Sequence, residues 1–339
     1  MPPSMTVIPG AARAAFVAPH AIAPAAPAMP FVYYGGASSD DATLRELAER
    51  VDTWHDMGTL EALEAATAEI GGAGARPNLP RGLLDLNRPW KGRIEEKETL
   101  FGKAAVDSWV RSRLAPGAED ALEQWYRAAM VEIRAVTDSA VGLVELHSYG
   151  DLGSTYDMQA GGRPIRRSAC SVIHGSPWLT AFPVGVARLI PASLRGTPWS
   201  AEAKVASELD RIGIELGPSP YPQLLPWNVS ARFLAARWFR WLGESGRLPP
   251  ETAARLVELA WTDEQAPAVD AAVTTGDEPA DLAGVKALAD DLTAWTHAGA
   301  ELGDRFLAET GTFVVGIELR IDLVERAAEW GAAVARAVR

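Results

Sequence analysis

The chain is 339 residues long, with 48% hydrophobic and 22% charged residues, so it reads as globular and long enough to bury one large core or two ordinary ones. Its formal charge of -12 argues against a sequence-independent grip on nucleic-acid phosphates, and no apolar run reaches the roughly 18 residues of a membrane span. The single Cys170 excludes an intrachain disulfide, and the Ala- and Pro-rich start lacks a charged segment followed by an unbroken apolar one, so the expected setting is the cytoplasm.

Within residues 1–30, which otherwise read as a disordered tail, the run Ala14-Ala15-Phe16-Val17-Ala18-Pro19-His20 has the form of a short strand ending in a histidine. A second strand candidate, Phe31-Val32-Tyr33-Tyr34, runs into Gly35-Gly36. Residues 44–54 and 60–70 follow at helical spacing, with Gly71-Gly72 as a stop. Between them Asp52, His55 and Asp56 crowd into five positions; on a helix the two carboxylates share one face, a spacing suited to a metal ligand and its supporting partner. The plain alternative is that Asp56 caps a helix and Asp52 is solvated.

Residues 81–89, Arg-Gly-Leu-Leu-Asp-Leu-Asn-Arg-Pro, read as a further short strand that would carry Asn87 and Arg88 to the same sheet edge, where a guanidinium forks onto a carboxylate. Residues 90–107 read as a loop over the site, and 107–136 as helices. The run 141–150, Val-Gly-Leu-Val-Glu-Leu-His-Ser-Tyr-Gly, is apolar until its end. It is the expected central strand, delivering His147 to the carboxyl edge of the sheet, where ligands gather in open α/β folds. Neutral imidazole there is a good metal ligand, although a hydrogen-bonded core histidine has the same local sequence.

Beyond Gly150 the chain reads as loop to residues 170–175, where His174 is a further site candidate. Residues 200–211 read as an amphipathic helix, 212–216 as a strand and 218–226 as a Pro-rich loop. From Ser230 the α/β alternation stops: one helix carries Phe233, Trp238, Phe239 and Trp241, and two more cover 251–261 and 281–308, separated by an acidic linker with Asp263 and Asp277. Residues 230–308 are therefore expected to form a helical insertion or subdomain within a single domain spanning 1–339. The chain then returns to the sheet at 311–323, a near-continuous apolar strand with Glu318 in its interior. A carboxylate buried there must be paired, hydrogen-bonded or kept for chemistry, and desolvation raises its pKa toward that of a general base at neutral pH. Residues 324–339 close the chain as an amphipathic helix. The fold class expected is α/β: a three-layer, mostly parallel mixed sheet with helices on both faces, hydrolase-like, plus the helical insertion.

Taken in order, Pro19-His20-Ala21, Asp56-Met57-Gly58, Leu84-Asp85-Leu86-Asn87-Arg88-Pro89, Leu146-His147-Ser148-Tyr149 and Gly316-Ile317-Glu318-Leu319-Arg320 resemble the N-formylglutamate amidohydrolase family. That family is related to the zinc carboxypeptidases, whose His-Ser-Tyr and Glu-Leu-Arg segments are similar to 147–149 and 318–320 here. The resemblance covers roughly residues 14–230 and 311–330. It implies a Zn²⁺ site made by His20, Asp56 and His147, a substrate-carboxylate clamp at Asn87 and Arg88, Glu318 as general base, and Tyr149, His174 and Arg320 on the substrate. The zinc carboxypeptidases place a glutamate three residues after the first histidine, where this chain has Ala23, so the acidic ligand comes from elsewhere, with Asp52 the alternative to Asp56. Tyr34 stands at the first ligand's place if residues 31–36 are the family's first strand.

The expected function is a zinc-dependent amidohydrolase that cleaves an amide in a small carboxylate-bearing substrate such as an N-formyl or N-acyl amino acid. The alternatives are a peptidase or peptide-tailoring metallohydrolase, and a non-catalytic binding protein on a decayed hydrolase fold. The partners expected are a small-molecule or peptide substrate, with no nucleic acid and no membrane.

Overall fold

The computed structural model describes residues 3–21, 55–90, 104–112, 114, 116–152, 166–173, 185–195, 199–218, 228–262, 266–293 and 297–339. The strand expected at 31–34, the helix expected at 44–54, Asp52 and His174 lie outside them. Seven strands form one sheet: β1 Met5–Ile8, β2 Ala14–Val17, β3 Gly74–Pro77, β4 Gly142–Tyr149, β5 Cys170–Ile173, β6 Leu216–Gly217 and β7 Phe313–Arg320. Their spatial order is β1-β3-β2-β4-β7-β5-β6. The pairs β2–β3, β2–β4, β4–β7 and β5–β6 are parallel, and only β1–β3 and β5–β7 are antiparallel. The fold is thus the mixed, mostly parallel α/β sheet that the sequence implies.

Alternation along the central strands sorts the two faces. Ala14, Phe16, Val144, Leu146, Val315, Ile317 and Leu319 point one way, onto α1 (Thr59–Ile70), α4 (Trp199–Arg211) and α10 (Ala327–Val338). The approach of α10 to α1 is so close that a Cβ on Gly331 would lie 2.2 Å from the Ala62 carbonyl oxygen, so only glycine fits. Ala15, Val17, Leu143 and Val314 point the other way. That face is covered by α3 (Ala118–Thr137), which follows the single turn α2 (Ser108–Arg111), and by the helices α5 (Val229–Glu244), α6 (Pro250–Thr262), α7 (Pro267–Thr275), α8 (Val285–Thr293) and α9 (His297–Thr310). Trp238 and Trp241 stack within this layer with Phe306 edge-on to both, and the Trp238 indole donates to the Leu189 carbonyl at 2.7 Å. No helix among the described residues is long and apolar enough to cross a membrane.

Several expectations are corrected. Residues 81–89 are a turn and loop, not a strand: Leu83 N and Leu84 N both donate to Pro80 O, and the loop buries Leu83, Leu84 and Leu86 in the core without joining the sheet. An apolar run marks burial, and the Gly and Pro within this one already break a ladder. The strand before this loop is β3, and β1 pairs with it at the edge; neither four-residue segment stands out from its surroundings. Asp56 is not on a helix with its neighbours but in the turn before α1. The linker after α6 contains α7, and residues 281–308 hold α8 and α9 rather than one helix.

Replacing Gly331 with alanine is expected to force α10 away from α1, at an overpacking cost of about 1–3 kcal/mol. A urea titration reads this as a lower midpoint at unchanged slope; an unchanged midpoint means the two helices can separate freely.

Candidate metal centre

Three segments bring their side chains to the carboxyl edge of β2 and β4. His20 follows β2 by three residues, and the chain turns there so that His20 O accepts from Asp56 N at 2.9 Å. Gly58, at φ 79°, then starts α1. A side chain at that position would collide with Val324 and Ala327, so the bend that turns Asp56 inward needs glycine. The third segment is β4 itself, on which Glu145, His147 and Tyr149 share the face of Leu143.

His20, Asp56 and His147 are all buried, and each offers one ligand atom within 4.8 Å of the others. Asp56 Oδ2 lies 2.8 Å from His147 Nδ1 and 3.3 Å from His20 Nδ1, and it accepts from Ser148 N at 3.3 Å. The two imidazole rings stand 4.9 Å apart between centroids, tilted at 59°. Each outer nitrogen meets a second carboxylate: His20 Nε2 lies 2.8 Å from Asp85 Oδ1, and His147 Nε2 lies 2.9 Å from Glu145 Oε1. Arg81 ties the rest together, donating to Asp56 Oδ1 at 3.0 Å and to Asp85 Oδ2 at 3.3 Å.

This donor set fits a divalent cation. Two imidazole nitrogens and one carboxylate oxygen converge on one point, a set of nitrogen and oxygen donors of the kind that holds a metal ion. A carboxylate behind each histidine fixes its tautomer and ring orientation, as metal-ligating histidines require.

The charges agree. Asp56, Asp85 and Glu145 are all held below the ordinary carboxylate range. In each case burial works upward and is outweighed: for Asp56 by His20 and Arg81, for Asp85 by His20 and Arg81, and for Glu145 by its bonds to His147, Ser230 and Asn87. Burial pulls His147 down, but its bonds to Asp56 and Glu145 prevail and push it up to about 10.

Glu318 lies beside these groups. It pairs in register with His147 across β4 and β7, so it shares the site's face, and it is 7% exposed. Burial raises its pKa to about 8, with a smaller push from Asp56 and an opposing pull from His147. Among the described residues its Oε2 has no hydrogen-bond partner, a costly condition inside a protein unless something polar is meant to face it.

The remaining candidates stand as follows. Arg88 lies 3.7 Å from Asp85 and its side chain is 12% exposed. Asn87 turns inward, its amide donating to Glu145 and its oxygen accepting from Val229 N at 3.3 Å. Tyr149 OH donates to Ser168 O at 2.8 Å, and Arg320 bonds Asp322 Oδ1 and Arg167 O, so both help to hold the segment that leads into β5. Sequence reasoning assigned no role to Arg81, Asp85, Glu145 or Ser230. For Glu145 a signal existed: a carboxylate in an apolar strand, two residues before His147, calls for the same explanation as Glu318.

No family model matches the sequence, and no curated protein matches it. Among solved structures, the N-formylglutamate amidohydrolase from Ralstonia eutropha JMP134 aligns over 99% of this chain and 97% of its own, with a TM-score of 0.51 and 12% identity. A gene product from Agrobacterium tumefaciens aligns over 99% and 90%, with a TM-score of 0.43 and 14% identity. At such identities the first likeness is one of fold.

A raised carboxyl carries a stability signature. Folded, Glu318 keeps its proton up to about pH 8, whereas in the unfolded chain it ionises near 4.5, so it makes the fold progressively less stable as pH rises across that window. In metal-free protein, Glu318→Gln is expected to be more stable than wild type at pH 8.5, by on the order of a few kcal/mol, with the difference shrinking toward pH 4.5. Denaturant melts at the two pH values check this; a difference independent of pH means that Glu318 is not held protonated.

Proposed function

We propose that the chain is a zinc-dependent amidohydrolase acting on a small carboxylate-bearing amide such as an N-formyl or N-acyl amino acid. The observation that carries the reading is the register of β4 and β7, which sets an unpartnered, desolvated carboxylate beside two buried histidines and an aspartate of metal-ligand type. Two nitrogens and one oxygen suit Zn²⁺. A divalent cation there supplies the charge that acidifies a water molecule and polarises a carbonyl.

The chain's own groups do the rest. Ionised Glu318 accepts the proton of the attacking water and returns it to the departing amine nitrogen, so that the carboxyl group ends as it began. Its desolvation keeps it basic enough for the first transfer. Arg88, beside Asp85, offers a guanidinium to the substrate's carboxylate, and Arg81, already bridging Asp56 and Asp85, holds the ligand loop in place.

The test is a turnover screen of zinc-loaded protein with N-formyl, N-acetyl and N-succinyl amino acids alongside short peptides. Glu318→Gln is expected to lose about 100- to 10,000-fold in kcat while retaining zinc. Arg88→Ala is expected to raise KM for acidic substrates with little change in kcat, at about 1.5–3 kcal/mol. Turnover of peptides alone would move the assignment to a peptidase. A protein that holds one zinc per chain but turns over none of these substrates contradicts the proposal.

A further inference from the structure

Glu145 is fully buried, and its acceptor capacity is filled. Oε1 receives His147 Nε2 at 2.9 Å and the Asn87 amide. Oε2 receives Ser230 N at 3.0 Å and the Ser230 hydroxyl at 2.5 Å. Ser230 is the second residue of α5, so Glu145 also lies at the positive end of that helix's dipole. An ionised carboxylate can only accept, so the hydrogen between Glu145 and His147 belongs to Nε2. That leaves His147 Nδ1, the nitrogen facing Asp56, as the one able to bind a cation.

We propose that Glu145 is a positioning residue of the metal centre, fixing the tautomer and orientation of His147, and that Asn87 and Ser230 serve it by holding its carboxylate. Asn87 is committed at both ends of its amide, with Nδ2 on Glu145 and Oδ1 on Val229 N. It therefore works on the histidine rather than gripping substrate, and the substrate carboxylate is left to Arg88. The amino end of α5, the first helix of the stretch 230–308, thus becomes part of the site's frame. A second link runs alongside: Arg232 donates to Tyr126 OH at 2.8 Å, and Tyr126 donates to Arg88 O at 2.9 Å. The helical layer holds both the ligand strand and the loop that carries Arg88.

The inference rests on the metal-site reading above, and titration of zinc against a chromophoric chelator separates the two. Wild type is expected to bind one Zn²⁺; if it binds none, the metal-site reading fails. Given that binding, Glu145→Gln is expected to weaken zinc about 10- to 100-fold, and the downfield, exchange-protected Nε2 proton of His147 in the zinc-loaded protein is expected to vanish from the NMR spectrum. Ser230→Ala keeps the carboxylate and is expected to weaken zinc about 10-fold, a reading that stands even if the glutamine variant does not fold. Wild-type affinity in both variants, or in the serine variant alone if the other does not fold, overturns the role given to Glu145. For Asn87→Ala, weakened zinc binding supports the assignment; unchanged zinc affinity with a raised KM returns Asn87 to the substrate.

Discussion

The Asp56 carboxylate, set between two imidazoles, is the constraint that the rest of the site answers to. Its Oδ2 lies within hydrogen-bonding reach of both His20 Nδ1 and His147 Nδ1, while its Oδ1 is held by Arg81. Burying such a group among apolar residues is expensive unless its charge is matched from several sides. Arg81 matches it from the surface, and the histidines match it from within only when a proton or a cation lies between them and the oxygen. A site so built is unsatisfied as neutral imidazoles and resolved by positive charge, whether a proton or a cation brings it.

The fold supplies this arrangement from parts that are distant in sequence. Parallel pairing of β2, β4 and β7 places the ends of all three strands at one edge, so the segment after β2 contributes His20, β4 contributes Glu145 and His147, and β7 contributes Glu318. The opposite face of the same strands is apolar up to Ser148 and packs on α1, α4 and α10. One face of the sheet is therefore free to carry charge because the other secures the core. The polar face is closed by the amino end of α5, which meets the buried carboxylate with backbone and hydroxyl donors.

Much of this was legible before the structure. Uninterrupted apolar strands at 141–150 and 311–323 announce central strands buried on both faces, and a histidine or glutamate interrupting them stands out as a group that needs a reason. His147 and Glu318 stand out in this way, His20 stands out at the end of a short strand and Asp56 by its crowding with Asp52 and His55; the structure sets His20, Asp56 and His147 within 4.8 Å of one another and pairs Glu318 in register with His147. What escaped was anything decided by geometry between segments. Residues 81–89 carry the leucines of a strand but fold as a turn, because burial in a loop leaves the same apolar trace as burial in a sheet. The pairing of Asp85 with His20, of Glu145 with Ser230, and the inward turn of Asn87 depend on contacts over tens of residues that no local spacing encodes.

Anomalous X-ray scattering from crystals grown with Zn²⁺ decides whether His20, Asp56 and His147 form one cation site. The account predicts one strong peak at the zinc edge, equidistant within bonding range from His20 Nδ1, His147 Nδ1 and an Asp56 oxygen, at roughly 2.0–2.2 Å. A map with zinc only on surface side chains, and His147 still bonded directly to Asp56, would contradict it.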